Sequence, residues 1–196
     1  MTCIVAIVEG NEIWMGCDSF AGDTHYHLLL PEEETKMFCL TLPVVGKSNE
    51  AMVFGFCGQV RPCQVIKHNL KLPICNPEEI TSNMNYMINH LIPDMKTIHK
   101  KHGLLLNNQG IERTEALFLV GWRSKLFYIE EDFGVTPVST NYIAMGSGEI
   151  TANGSLHATA NSNLKPQERL EMALTVAENN TNFVRKPFYY QHIVCQ

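Results

Sequence analysis

Thr2 is the residue whose type and position could do chemistry with the least help. It follows Met1 and leads directly into the apolar run Cys3-Ile4-Val5-Ala6-Ile7-Val8. A side chain as small as threonine at position two normally permits removal of the initiator methionine. Thr2 would then carry a free α-amine, making its hydroxyl a nucleophile and its own amine the nearby base. With Met1 retained, the Thr2 nitrogen is an amide and has no basic lone pair. Cys3 would need two residues removed to play the same part. The histidine pairs suggest less: His25 and His27, and His99 and His102, lack Cys or carboxylate partners at ligand spacing. Neither a metal site nor a cofactor is therefore expected. Cys3, Cys17, Cys39, Cys57, Cys63, Cys75 and Cys195 form no Cys-x-x-Cys pair, and their odd number favours free, mostly buried thiols.

A nucleophile at the chain start needs strands to hold it, and the pattern supplies them. Short apolar alternations predict strands near 2–9, 12–18, 36–42 and 50–57. Phe20 to Thr35, rich in Gly, Asp and His and ending in Glu32-Glu33-Glu34, reads as a loop. A short helix is expected from Gln59 to Leu70. A longer one should begin near Asn76-Pro77-Glu78-Glu79, with Ile80, Met84, Met87, Ile88 and Leu91 as its apolar stripe. Pro93 would kink it and Gly103 would cap it. Asn107 to Arg113 reads as a polar loop, followed by strands at Glu115–Trp122, Leu126–Ile129, Gly134–Val138 and Tyr142–Met145. Arg123-Ser124-Lys125 is a hairpin connection. Helices at Ser147–Asn161 and Pro166–Asn180 precede a last strand at Phe188–Val194.

Runs of strands separated by helix pairs predict an α+β fold, a four-layer α/β/β/α sandwich of two stacked antiparallel sheets. The length of 196 residues suits a single domain over 1–196. The net charge of −5 argues against a nucleic-acid surface, which needs surplus Lys and Arg. No apolar run approaches the roughly 20 residues of a membrane span. With no signal-peptide pattern at the start, a cytoplasmic location is expected.

On this framework the chain resembles the proteasome β-subunit and HslV family of N-terminal nucleophile (Ntn) hydrolases. Thr2 opens a strand pair that ends at Asp18-Ser19, and Lys36-Met37-Phe38 is similar to the family's lysine at the start of the next strand. Gly55-Phe56-Cys57-Gly58 resembles the turn whose last glycine supplies an oxyanion-hole amide. Gly146-Ser147-Gly148 before a helix is similar to the family's Gly-Ser-Gly. The resemblance implies the Ntn-hydrolase fold and a set of roles. Thr2 Oγ attacks a peptide carbonyl, Lys36 favours the neutral amine by charge repulsion, and Asp18 orients Lys36. The Gly58 amide stabilises the oxyanion, a single donor being worth about 3 kcal/mol. Ser147 hydrogen-bonds the amine or a bound water. Substrate would lie on Ala21, Gly22, Glu34, Phe56 and Val60, with Glu34 favouring a basic residue before the scissile bond.

The same comparison marks departures. Where proteasome members carry an Asp and a Ser beyond the last long helix, this chain reads Asn180-Thr181-Asn182-Phe183-Val184. The usual glycine pair of the oxyanion turn becomes Gly58-Gln59, followed by Val60-Arg61-Pro62, and Arg61 has no assigned role. The expected activity is a threonine peptidase in a homo-oligomeric ring, hexameric or heptameric and able to stack. Peptides are its substrates, and an AAA+ unfoldase ATPase is a partner the resemblance implies. Activation would then need only loss of Met1. Two alternatives stand beside it: an inactive structural or interaction subunit of the same fold, and an Ntn amidohydrolase acting on a small amide.

Overall fold

The computed structural model of the chain describes residues 2–22, 25–76 and 82–195. The first strands are β1 (Cys3–Glu9) and β2 (Glu12–Asp18), turned by Gly10 in the left-handed region. A hairpin of β3 (Phe20–Gly22) and β4 (His27–Leu29) follows, then β5 (Met37–Leu42) and β6 (Glu50–Gly58). Helices α1 (Val60–Asn69), α2 (Asn83–Tyr86) and α3 (Ile92–Lys101) come next, before the small hairpin β7 (Leu106–Asn108) and β8 (Ile111–Arg113). The second half holds β9 (Ala116–Trp122), β10 (Lys125–Ile129), β11 (Val135–Pro137) and β12 (Tyr142–Gly146). It ends with α4 (Glu149–Ala158), α5 (Pro166–Asn180) and β13 (Phe188–Val194).

Two antiparallel sheets form the centre, ordered β12-β1-β2-β13 and β11-β10-β9-β6-β5. The period of two in each strand sends alternate side chains to opposite faces, and that division builds three cores. Ile4, Ala6, Ile13 and Met15 meet Val53, Cys57, Leu119 and Leu126 between the sheets. Cys3, Val5 and Ile7 face the other way, onto Ala152, Leu156, Leu170, Ala173 and Leu174 of α4 and α5. Phe54, Phe56, Phe118 and Val120 face Cys63, Ile66, Met87 and Met95 of the helices that cover the second sheet. The result is the α/β/β/α sandwich expected from the order of elements. Because β1 is buried on both faces it reads as one unbroken apolar run. Among the described residues no helix is long and apolar enough to cross a membrane.

The structure departs from the sequence expectation in its connections. Phe20 to Thr35 is not simply a loop: it contains the β3–β4 hairpin and a 3₁₀ turn at Glu32–Glu34. Asn107 to Arg113 forms the β7–β8 hairpin, because Gln109 and Gly110 both take positive φ (54° and 85°), the geometry of a tight two-residue hairpin turn. The expected start of the long helix at Pro77-Glu78-Glu79, and Ile80 of its stripe, lie outside the described residues. The helical turn of α2 is capped by Ser82, whose hydroxyl accepts from Asn85 N at 3.1 Å. Pro93 cannot donate a main-chain bond, and the helix widens into a π segment over Met87–Leu91, where Ile92 N reaches the Met87 carbonyl. That widening changes the facing residues, leaving Met87 and Leu91 buried but Ile88 exposed. Gly103 does close α3, with Gly103 N and Leu104 N donating to the Lys100 and His99 carbonyls. Helix α4 is shorter than the expected Ser147–Asn161.

Candidate active site

The strand register gathers one end of both sheets. Thr2 immediately precedes β1, and Cys3 stands opposite Gly146, the last residue of β12. Ile4 stands opposite Cys17, so the end of β2 brings Asp18 beside the chain start. Lys36 precedes β5 in the facing sheet, and its carbonyl accepts from Phe56 N at 3.1 Å, which ties it to β6. Gly58 closes β6 opposite Ala116.

Asp18 organises this end. It is fully buried, and its Oδ1 accepts from Lys36 Nζ at 2.7 Å and from Cys3 N at 2.8 Å. Its Oδ2 accepts from Phe20 N at 2.9 Å and from Arg185 N at 3.4 Å. Every one of these partners is a donor, the surroundings that suit an ionised carboxylate. A buried ammonium facing a buried carboxylate with further hydrogen bonds is the condition under which such a pair is tolerated away from water. Ser147 Oγ accepts from Thr2 N at 3.1 Å and donates to the Thr2 carbonyl at 3.1 Å, fixing the main chain of Thr2 from both sides.

Two glycines here have conformations that other residues resist. Gly58 has φ +107°, and a Cβ there would run into the Glu115 carbonyl oxygen. Gly146 has φ +99°, and a Cβ there would strike the carbonyl oxygen of Thr2. Both thus let main chain approach main chain at the site.

A cleft of about 320 Å³ opens beside Thr2. Thr2, Ala21, Gly22, Glu34, Lys36, Phe56, Gly58 and Val60 all line it, whereas Asp18 and Ser147 stand behind it and touch it through Lys36 and Thr2. Sequence reasoning missed Gln64 and Lys67, which also line it. Their spacing from Val60 is that of one helix face and could have found them. It also missed Arg185, which reaches Asp18 through its main-chain N–H and so leaves no mark in residue type. Ser19 N and Oγ both donate to the Arg185 carbonyl at 3.1 Å.

Within the acidic run before Lys36, the Glu34 carboxylate turns toward α1. Glu34 Oε2 lies 3.3 Å from Lys67 Nζ and 3.7 Å from His68 Nε2. Arg61 points to the end of α3, its guanidinium 3.5 Å from the His102 carbonyl. Val184 is buried with Cys3 and Ala177 in the helix-facing core, and Thr181 Oγ1 accepts from Phe183 N at 3.3 Å. Cys17 and Cys57 are pushed up to about 12 by burial, and burial raises Cys3 and Cys63 further still. Held neutral by burial, these thiols lack the thiolate form in which cysteine acts as a nucleophile. Among the described residues no cluster of His, Cys, Asp and Glu could hold a metal ion.

No protein-family model and no curated protein matches the sequence. Solved structures do match the fold over nearly the whole chain. Thiobacillus denitrificans BPH in complex with epoxomicin is 14% identical, covers 98% of this chain and 98% of its own, and superposes with a TM-score of 0.76. HslV from Trypanosoma brucei is 15% identical, with coverages of 98% and 99% and a TM-score of 0.66. Anbu, the ancestral β-subunit from Yersinia bercovieri, is 13% identical, with coverages of 97% and 81% and a TM-score of 0.64. The chain has the proteasome-like Ntn-hydrolase fold.

Proposed function

We propose that this chain is a threonine-type peptidase, acting with Thr2 as the nucleophile once Met1 is removed and working as a subunit of a proteasome- or HslV-like ring. The observation that carries the reading is the convergence of four residues at one end of the sheets: Thr2 and Lys36 line the cleft, and Ser147 and Asp18 hold them from behind. Ser147 holds the Thr2 nitrogen at 3.1 Å, while Asp18 grips both Lys36 Nζ and the amide of Cys3, the next residue. Removal of Met1 would turn that nitrogen from an amide into an amine able to take the proton from Thr2 Oγ. A cation held near the amine favours its neutral, basic form. Oγ then attacks the peptide carbonyl, and Gly58 N–H meets the developing oxyanion. The amine returns the proton to the leaving nitrogen, and water releases the acyl group from Oγ.

The ring, hexameric or heptameric, rests on likeness to HslV and the ancestral β-subunit, and so does an AAA+ unfoldase partner. Val184, buried where the resemblance expects a serine, and Thr181, held within its own turn, favour a second reading: a non-catalytic subunit of the same fold. Intact mass separates the two. A peptidase should lack Met1 and gain the mass of one peptide epoxyketone at Thr2, and Thr2→Ala should lose both the adduct and peptide hydrolysis. Epoxomicin, bound in the Thiobacillus denitrificans neighbour, is the natural probe. A chain that keeps Met1 and ignores the inhibitor sinks the peptidase reading.

A further inference from the structure

The cleft holds a second ion pair that the proposed chemistry does not use. Lys67 lies on α1, on the same face as Val60 and Gln64. Its ammonium donates to the Glu33 carbonyl at 3.3 Å, the Thr35 carbonyl at 3.1 Å and Glu34 Oε2 at 3.3 Å. These three acceptors match the three protons an ammonium has to give. The Lys67 side chain is 12% exposed and that of Glu34 is 44% exposed, so the carboxylate is the open end of the pair.

The charges of the cleft therefore cancel locally. Among the described residues that line it, the charged ones are Glu34, Lys36 and Lys67. Lys36 is matched by Asp18 behind it, and Glu34 by Lys67 beside it. What is left for a substrate to touch is uncharged, with apolar surface from Tyr26, Leu30, Phe56 and Val60 beside the side-chain amides of Gln59 and Gln64.

We infer that Lys67 is a specificity-determining residue, which masks Glu34 and makes the cleft select an uncharged apolar side chain over a basic one. This rests on the peptidase reading for its substrate class, a peptide. A basic side chain could reach Glu34 only by placing a second cation next to the Lys67 ammonium, and like charges at that range oppose each other. An acidic side chain meets a lysine whose protons are already used and a carboxylate of its own sign. An apolar side chain meets neither penalty and gains from leaving water. Glu34 read from sequence alone pointed to a basic preference; the residue that reverses it lies more than thirty positions away and arrives on a helix.

The test uses a Thr2→Ala chain, which can bind but not cleave, and capped tripeptide amides that differ only in a terminal Leu, Arg or Glu. Calorimetry should rank Leu tightest. Lys67→Met keeps the stem and removes the charge, and it should move the Arg-to-Leu affinity ratio about fivefold toward Arg, the scale of a half-exposed ion pair. Glu34→Gln should move the Glu-to-Leu ratio toward Glu by a similar factor. If Lys67→Met fails to fold, the Glu34→Gln arm still decides. An Arg peptide that binds tightest to the chain with Lys67 intact overturns the inference; so do ratios unmoved in the variants that fold, and so does absence of binding by all three peptides. Hydrolysis of the same peptides by the chain with Thr2 judges the peptidase reading separately. Leu-selective binding without cleavage would end that reading and leave the selectivity standing.

Discussion

Asp18→Asn is the perturbation that most directly weighs the architecture of the site. The change keeps size and shape but replaces one carboxylate oxygen with a donor. Asp18 now receives donors at both oxygens, from Lys36 Nζ and Cys3 N on one and Phe20 N and Arg185 N on the other. Whichever way the amide turns, its NH₂ faces two donors. The Lys36 ammonium, with a side chain only 5% exposed, also loses its countercharge. Removing one partner of a buried pair costs about 3–5 kcal/mol, because the remaining charge is left without compensation. Lys36→Met should cost less, about 1–3 kcal/mol, since the carboxylate keeps its three main-chain donors. The double variant should then be less destabilised than the two single changes added together, because it removes the stranded ammonium as well. Urea denaturation followed by tryptophan fluorescence measures all three, and none of the values depends on the chain being an active peptidase. A cost below about 1 kcal/mol for Asp18→Asn would contradict this account, since that is the scale of an exposed pair.

Other expectations follow from particular atoms. Gly58→Ala forces a Cβ onto the Glu115 carbonyl at a φ of +107°, and strain of this kind should cost at least about 1–3 kcal/mol, read as a lower urea midpoint. His99 is fully buried, 3.4 Å from the Pro62 carbonyl, and burial lowers its affinity for a proton below the ordinary value of 6.5. The unfolded chain therefore takes up that proton first as pH falls, so stability is full above about pH 6.5 and declines below it toward the lower folded value. His99→Asn should flatten this part of the urea midpoint–pH curve relative to the unmodified chain; identical slopes would mean that His99 does not contribute.

The legibility of this protein was uneven for physical reasons. The strands at the centre were readable because burial imposes a period on residue type: Met52, Phe54 and Phe56 on one face of β6 alternate with Val53 and Cys57 on the other. The hairpins β3–β4 and β7–β8 were not, since short exposed strands carry no such alternation. The π segment was missed although Pro93 signalled a disturbance, because a missing N–H says where a helix is strained and not how the chain absorbs it.

At the site, residue type and order alone established which side chains stand at the ends of predicted elements: Thr2, Asp18, Lys36, Gly58 and Ser147 all do. Their convergence required the register of β1 against β2 and β12 and the stacking of two sheets, which no local pattern encodes. That Arg185 would hold Asp18, and that Lys67 would cover Glu34, followed from the packing of distant elements and from nothing local. A main-chain N–H is the same in almost every residue, and an ion pair between distant segments depends on how two elements pack. Long-range contacts of both kinds are settled by the fold.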